Sequence, residues 1–155
     1  MHIPVRVPGL VERFHQDAFS YYDRLTPVHQ FVTTHVSKPI SLADAAKVAG
    51  LERKYFSAFF HSKVGITFTE WIRLLRVRRS MELMRAHDDS IPRIAFAAGF
   101  RDVRTFERAF KRYVGVSPTA YRSSVRPEHD ERRELHDQRR AVPRIAAHIS
   151  SAKTR

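Results

Sequence analysis

The sequence predicts an all-α fold in which two helix-turn-helix subdomains are joined by a long linker helix. Three observations lead to this prediction: a unit of roughly thirty residues occurs twice, apolar residues recur at helical spacing, and capping residues precede the predicted helices. The two copies are offset by 49 residues before a glycine turn, as Gly50 and Gly99 show, and by 50 residues after it, as Phe56 and Phe106 show. Each copy therefore indicates two short amphipathic helices around a turn.

Residues 1–25 are weakly patterned, and we expect them to form an N-terminal extension. After them, Thr26 and Pro27 predict the start of a helix, with the threonine as its N-cap and the proline at its first helical position. An apolar stripe then predicts a helix over about 27–37, and Pro39 follows its end.

The first helix-turn-helix subdomain is predicted over residues 26–66. Ser41 and Asp44 give a capping pattern at the start of its first helix. Gly50 allows the left-handed conformation that ends such a helix, and the second helix should cover about 53–63. The residues expected on the buried faces are Leu42, Ala45, Ala46, Ala49, Leu51, Phe56, Phe59 and Phe60.

The linker helix is predicted over residues 67–86, where Thr67 and Glu70 form a capping-box pattern at its start. We expect its buried side to hold Trp71, Ile72, Val77, Ser80, Met81, Leu83 and Met84, and its exposed side Arg73, Arg76, Arg78 and Arg79. Leu74 and Leu75 are expected to be partly buried against the first helices, with a docking patch as the alternative. Such a helix would fix the distance and the angle between the two motifs.

The second helix-turn-helix subdomain is predicted over residues 87–126. Ser90 caps its first helix, in which Pro92 is tolerated because it falls in the first turn. Asp102 caps the following helix, predicted over 103–114. The expected buried residues are Ile91, Ile94, Ala95, Ala98, Phe106, Ala109, Phe110 and Tyr113.

The C-terminal part changes character after one more short helix. Ser117 and Pro118 predict the start of that helix, which should end near Arg122. Residues 127–155 begin with alternating acidic residues and arginines and contain few apolar residues. They are expected to form a charged, mobile tail or a solvated helix.

The charge distribution favours a polyanionic partner. The chain carries a formal net charge of +12 at pH 7 and has a pI near 10.8. Residues 38–126 hold eighteen basic and eight acidic residues, so the excess positive charge coincides with the repeated unit. A soluble basic surface is the alternative for an arbitrary protein, but basic charge on a repeated helix-turn-helix predicts double-stranded DNA as the partner.

Several function classes are disfavoured by what the sequence lacks. It has no cysteine, which removes disulfides, thiolate nucleophiles and cysteine metal sites. Its nine histidines show no pair at metal-binding spacing with a third ligand. Because it also shows no catalytic constellation, signal peptide or long apolar run, we expect a cytoplasmic protein that is not an enzyme, uses no cofactor or metal and does not enter a membrane.

Over about residues 28–122 the sequence resembles the DNA-binding domain of the AraC/XylS family of bacterial transcription regulators. The most specific stretch lies in the second copy, at Ile94, Ala95, Gly99, Phe100, Phe106, Arg108, Phe110, Lys111, Gly115, Ser117, Pro118, Tyr121 and Arg122. The linker helix also resembles that of the family, at Trp71, Ile72, Arg76, Val77, Ser80, Leu83 and Met84.

The resemblance implies a seven-helix, all-α fold in which each subdomain lays its second helix in the major groove of DNA. One chain would then contact two segments about one helical turn, roughly 34 Å, apart. The function implied is that of a sequence-specific transcription regulator associated with the nucleoid.

Carried over residue by residue, the resemblance also implies which side chains read the bases. In the first recognition helix they are Lys54, Ser57 and Ala58, and in the second they are Val103, Arg104, Thr105 and Arg108. Arginine is suited to a two-pronged contact with guanine. In the first copy, Ala58 and His61 stand where the family often has arginine and lysine, so the second motif is expected to carry more of the binding energy.

Phosphate contacts are implied for a further set of basic side chains and for two helix ends capped by serine. These residues are Ser41, Arg53, Lys63, Arg76, Arg79, Ser90, Lys111 and Arg112. They would set the position of the protein on the duplex without reading its sequence.

Two interpretations of the whole chain stay open. Many family members carry a large N-terminal sensor and dimerisation domain, whereas here a short segment precedes the first predicted helix. The chain therefore resembles either a stand-alone DNA-binding member, acting as a monomer, or a truncated or split regulator that acts through RNA polymerase or a separate sensor subunit. A non-specific nucleoid-type binder and an interaction protein with little DNA affinity are further alternatives.

Overall fold

The structure, a computed structural model, describes residues 14–126, and every regular element in that range is an α-helix. The helices are α1 (Ala18–Tyr21), α2 (Leu25–His35), α3 (Leu42–Val48), α4 (Arg53–Val64), α5 (Phe68–Ala86), α6 (Ile91–Ala97), α7 (Val103–Val114) and α8 (Pro118–Val125). The predicted all-α fold is confirmed, although the described range has eight helices rather than seven because the short α1 precedes the expected set. Residues 1–13 of the predicted extension and the predicted tail, 127–155, lie outside the described residues. None of the helices in the described range combines the length and the hydrophobicity of a transmembrane span.

The start of α2 differs from the prediction that Thr26 caps it. The helix begins at Leu25, the preceding Arg24 already has helical dihedral angles, and the Leu25 backbone N–H donates to the Tyr22 carbonyl over 2.8 Å. The Thr26 hydroxyl instead donates to the Phe19 carbonyl over 2.8 Å. Because Leu25 is completely buried, the turn that leaves α1 continues directly into α2, and core packing overrides the local signal.

The other predicted helix starts are confirmed. The N-caps are Ser41 for α3, Thr67 for α5, Ser90 for α6, Asp102 for α7 and Ser117 for α8. Asp44 and Glu70 complete reciprocal capping boxes at α3 and α5, which satisfies the N-cap backbone N–H as well. Gly50 takes the predicted left-handed conformation, with φ +63°, directly after the end of α3.

Two hydrophobic cores share helix α5. The first is formed by α1 to α4 with the N-terminal part of α5 and contains the buried rings of Phe56, Phe60 and Trp71. The second is formed by the rest of α5 with α6 to α8 and contains the buried rings of Phe106 and Phe110. The 19 residues of α5 extend about 28 Å, so one helix supplies side chains to both cores.

Neighbouring residues of α5 divide between the two cores. Leu74 is buried in the second core, whereas Leu75 is half-buried and packs against the first. The prediction that both leucines pack against the first helices is therefore wrong for Leu74, because successive helical residues point about 100° apart. Some residues predicted to be buried lie half-buried at the core edges instead: Leu42, Leu51, Phe59 and Leu83.

Candidate nucleic-acid interface

Helix α7, the second helix of the second motif, has one apolar face and one basic face. Phe106, Ala109, Phe110 and Tyr113 are buried in the second core. The opposite side exposes Arg104, Glu107, Arg108, Lys111 and Arg112. Within residues 14–126, neither Arg104 nor Arg108 uses its guanidinium in a hydrogen bond or an ion pair, so both groups can bind an external acceptor.

Asp102 occupies the N-terminus of α7. Its carboxylate accepts a hydrogen bond from the Thr105 backbone N–H over 2.7 Å. The pKa of Asp102 lies below its ordinary value, first because of hydrogen bonds from Thr105 and then because of the positive charges of Arg108 and Arg104. A carboxylate that is ionised at neutral pH therefore fills the place at this helix end where a DNA phosphate would otherwise bind.

Two predicted base-reading residues of α7 lie at its edges. Val103 and Thr105 are both half-buried. Thr105 and Arg108 line a groove of about 260 Å³ between α5 and α7, together with Arg112 and the exposed Arg73 of α5. Arg73 was not among the predicted site residues, because the spacing along α5 shows that it is exposed but not that it faces α7.

Helix α4, the second helix of the first motif, has a similar but less basic exposed face. Its buried residues are Phe56, Phe60 and Val64. Its exposed residues include Arg53, Lys54, Ser57, Ala58 and His61. Of the three predicted base-reading residues, Ala58 has no hydrogen-bonding side chain, so only Lys54 and Ser57 can form polar contacts with a base.

Glu52 caps α4, a cap that was not predicted from the sequence. Its carboxylate accepts hydrogen bonds from the backbone N–H groups of Lys54 and Tyr55 over 2.9 and 3.1 Å. These hydrogen bonds hold the pKa of Glu52 below its ordinary value. Because N-caps are usually serine, threonine, aspartate or asparagine, a glutamate gives no clear signal in the sequence.

Tyr55 is an exposed aromatic residue of α4 that the sequence analysis also missed. Its side chain is 60% exposed and stacks on Phe59, with ring centroids 6.3 Å apart and an interplanar angle of 16°. The 50-residue offset between the two copies pairs Tyr55 with Thr105, a predicted base-reading residue. That offset is the signal that would have identified it.

Two arginines of α5 that were predicted to bind phosphate donate some of their N–H groups to backbone carbonyls within the protein. Arg76 Nε donates to the Val36 carbonyl and its Nη2 donates to the Lys38 carbonyl, each over 3.0 Å. Arg79 Nε donates to the Ala97 carbonyl over 3.3 Å. Helical spacing predicts both arginines on the exposed side of α5, but spacing along one helix does not reveal that the ends of α2 and α6 lie against that side.

Two further side chains that were predicted to contact phosphate interact with other side chains of the protein. Arg112 Nη2 lies 3.7 Å from Glu70 Oε1. Lys63 Nζ lies 5.0 Å from the centroid of the Tyr22 ring, which is within the range of a cation–π contact. The remaining predicted cations, Arg53 and Lys111, are exposed.

The two helix ends capped by serine differ in how the nearest carboxylate is bound. At α3, the Asp44 carboxylate accepts hydrogen bonds from the Ser41 backbone N–H over 3.1 Å and from its hydroxyl over 2.6 Å, so an anionic group already lies there. At α6, the Ser90 hydroxyl accepts from the Arg93 backbone N–H, and the nearest acidic residue is Asp89, just before the cap, whose Oδ1 lies 3.3 Å from Arg93 Nε. Because Asp89 pairs with Arg93, whereas Asp44 is bound to the cap itself, α6 is the better suited of the two ends to a phosphate.

The exposed faces of α4 and α7 carry mainly hydrogen-bond donors. Guanidinium and ammonium groups donate to base edges and phosphates, and a serine hydroxyl donates and accepts. In the part of the chain that the structure describes, no three histidine or acidic side chains are grouped so that they could hold a metal ion.

Comparison with known proteins agrees with this geometry. A family model described as a helix-turn-helix domain matches residues 45–124. The chain is 30% identical over 99 residues to the probable transcriptional regulator LumQ of Photobacterium leiognathi, covering 64% of this chain and 40% of LumQ. It is also 30% identical over 92 residues to the melibiose operon regulatory protein of Escherichia coli K12, covering 59% of this chain and 30% of that protein. The chain thus spans less than half the length of these relatives.

Solved structures share the same architecture. The DNA-binding domain of AdpA, a global transcriptional factor crystallised in complex with a target DNA, is 28% identical, with a TM-score of 0.64 over 69% of this chain and 96% of that one. The C-terminal domain of AraT, a response regulator from Geobacillus stearothermophilus, is 26% identical, with a TM-score of 0.62 over 66% of this chain and 86% of that one. The fold, the two unequal basic helices and these matches together show that the chain belongs to the AraC/XylS family of transcription regulators.

Proposed function

We propose that the protein is a sequence-specific transcription regulator that inserts α4 and α7 into adjacent major-groove segments of double-stranded DNA. The observation that carries this proposal is the exposed face of α7, on which the guanidinium groups of Arg104 and Arg108 form no hydrogen bond or ion pair within the described residues. Their guanidinium groups match the two acceptors that guanine presents in the major groove. The similar domain of AdpA, crystallised with its target DNA, and the net charge of +12 support the proposal.

The two halves of the interface contribute unequally in this proposal. Helix α7 reads bases mainly through Arg104 and Arg108, because both are exposed and neither guanidinium is held in a hydrogen bond or ion pair within the described range. Helix α4 contributes Lys54 and Ser57, and Tyr55 adds an apolar contact at its first turn. Phosphates are bound by the remaining exposed cations, Arg53 and Lys111, and by the N-terminus of α6.

The proposal includes the organisation predicted from the sequence. The first subdomain covers residues 26–66, the linker helix 67–86 and the second subdomain 87–126. One chain supplies both reading helices, so a monomer is sufficient to contact both DNA segments. A regulator of this kind acts on the nucleoid in the cytoplasm.

Selection of bound duplexes from a random pool, followed by footprinting, tests the proposal. We expect protection of two major-groove segments about one helical turn apart. Arg108→Ala should weaken binding to the selected duplex by about 10- to 100-fold, because one two-pronged base contact is lost. Arg78→Ala is the matched control, since Arg78 pairs with Glu82 and lines a groove beside α2, and it should leave affinity nearly unchanged.

Uniform weak binding to every duplex would contradict the proposal. In that case Arg108→Ala and Arg78→Ala would lower affinity equally, and no base position would be preferred. An affinity that hardly falls between low and physiological salt would exclude phosphate contacts and favour an interaction protein instead.

A further inference from the structure

We infer that Val36, Ser37, Arg76, Arg79 and Gly99 form a junction that sets the spacing and the angle at which the two recognition helices meet DNA. The inference rests on the proposed function, because it names the residues that determine which operator spacing the same interface accepts. In this proposal the five residues act by positioning α4 and α7 rather than by reading bases.

The first part of the junction is the contact of Arg76 with the end of α2. Helix α2 ends at His35, so the carbonyls of Val36 and Lys38 accept no hydrogen bond from a later turn of that helix. One guanidinium satisfies both, through Nε and Nη2 at 3.0 Å each. Burial lowers the pKa of Arg76, and the nearby charge of Arg101 lowers it further, but an arginine stays protonated at neutral pH.

The second part is the turn of the second motif, which lies directly on the end of α2. Gly99 has a φ of +101°, and a Cβ built there would lie 2.6 Å from the Val36 carbonyl oxygen, 2.9 Å from Ser37 Cα and 2.9 Å from Arg76 Nε. The Val36 oxygen and Ser37 Cα are backbone atoms, so these two neighbours cannot move aside as a flexible side chain would. A glycine at this position therefore lets the two subdomains touch backbone to backbone.

Arg79, one turn further along α5, supports the junction from within the second subdomain by holding the end of α6, two residues before Gly99. Its Nε donates to the Ala97 carbonyl at the end of α6. The first subdomain has a comparable cap, in which Arg24 Nη1 donates to the Gly50 carbonyl over 3.1 Å. Arg24 binds the turn after α3, which lies in the same subdomain. Arg76 instead binds the end of α2 where it packs against the Gly99 turn of the second motif.

The subdomains are therefore joined at two places, by the continuous helix α5 and by the junction. Two linked bodies held at two places cannot rotate independently about the linker. Each base pair inserted between two DNA segments moves them about 3.4 Å further apart and rotates them by about 35°. A rigid junction should make affinity depend steeply on that spacing, because the second contact is lost when the geometry does not match.

A distance measurement without DNA tests the junction itself. The chain has no cysteine, so spin labels can be attached through Ser57→Cys on α4 and Glu107→Cys on α7, both at exposed positions. We expect one narrow distance distribution in the labelled parent. Arg76→Met, which keeps an apolar side chain but removes both donors, should broaden it, and the matched control Arg78→Met should not.

Binding to duplexes of altered spacing tests the consequence for DNA. On a duplex selected by the parent protein, inserting or deleting one base pair between the protected segments should weaken binding about tenfold or more. Arg76→Met should bind the original duplex about tenfold more weakly and show a flatter dependence on spacing. Its affinity for a duplex that carries only the segment bound by α7 should match that of the parent.

Either measurement can overturn the inference. A narrow distance distribution in folded Arg76→Met, or an unchanged dependence on spacing, would contradict it. If Arg76→Met does not fold, Arg76→Lys, which keeps the charge and one donor group, is measured in the same way and should give an intermediate width. A parent protein that selects no duplex sequence would contradict the proposed function, while the distance distributions would still decide on the junction.

Discussion

Glu70 Oε1 lies 3.7 Å from Arg112 Nη2, so the carboxylate that closes the capping box of α5 also restrains a basic side chain of α7. Both groups are partly exposed, and such a pair contributes roughly 0 to 1 kcal/mol to stability. In the proposed interface its larger effect is on binding, because the ion pair directs one positive charge of α7 towards α5 instead of towards DNA.

Glu70→Gln should strengthen DNA binding. Glutamine also completes a capping box, so we expect the free energy of unfolding to change by less than about 0.5 kcal/mol. Release of Arg112 should steepen the slope of log affinity against log salt by about 1. Titrations of the selected duplex at several salt concentrations measure this slope. Glu82→Gln, which removes the partner of Arg78 beside α2, is the matched control, and an equal effect of both variants would contradict the prediction.

Asp102→Asn should make the protein less sensitive to acid. The folded-state pKa of Asp102 is lowered, so its stabilising contribution is present above the unfolded value of about 3.9 and is lost as pH falls through the lower folded value. Asparagine still caps the helix, so Tm at pH 7 should change little. Thermal melts from pH 7 to about pH 2 should show a shallower acid decline than the parent. The prediction fails if Glu107→Gln, on the same helix but not a cap, gives the same change.

Ala58→Arg should improve the weaker half of the interface. Ala58 is exposed, so an arginine fits there with little effect on stability. The added guanidinium should tighten binding by about three- to tenfold and create a base preference within the segment bound by α4. Ala86→Arg adds the same charge at the exposed end of α5 and controls for charge alone. Equal gains from both variants, measured by titration and by a new selection, would count against base contact by α4.

Tyr55→Ala should weaken DNA binding by about three- to tenfold. In the proposed interface the exposed Tyr55 ring contacts the DNA at the first turn of α4, and the substitution removes that contact. Tyr55→Phe separates the ring from the hydroxyl and should keep most of the affinity if the contact is apolar. Tyr21→Ala, at a tyrosine that is 78% exposed on α1, is the control. Competition titrations compare the three variants, and full affinity in Tyr55→Ala would remove this residue from the interface.

Gly99→Ala should destabilise the protein more than Gly115→Ala. Both glycines have positive φ, +101° and +88°, so alanine at either position costs about 1–2 kcal/mol in backbone conformation. A Cβ at Gly115 meets no atom within 4 Å, whereas a Cβ at Gly99 collides with the end of α2. The collision should add about 1–3 kcal/mol. Urea unfolding of both variants measures the difference. Equal decreases in the free energy of unfolding would show that the end of α2 moves aside at little cost.

Most of the fold could be predicted because its signals are local. The caps at Ser41, Thr67, Ser90 and Asp102 each depend on residues within about one helical turn, which the sequence displays directly. The repeat then identified α4 and α7 as equivalent helices. Local signals failed at Thr26, because burial of a neighbouring leucine decided where α2 begins.

The parts of the site that could not be predicted depend on contacts between distant segments. Arg76 binds carbonyls about forty positions earlier in the chain, and helical spacing shows only that its side chain leaves the core-facing side of α5. The pairing of Arg112 with Glu70 likewise requires knowing how α7 packs on α5. Exposure of Arg104 and Arg108 followed from periodicity alone, because the positions opposite a buried stripe face solvent.

Leu74 and Leu75 couple the folding of the two subdomains. One leucine is buried in the second core and its neighbour packs against the first, so neither core is complete unless the middle of α5 is helical. Loss of structure in one subdomain would unravel the segment on which the other depends. We therefore expect the two subdomains, to which the proposed function gives separate contacts with the duplex, to unfold in a single cooperative transition rather than one after the other.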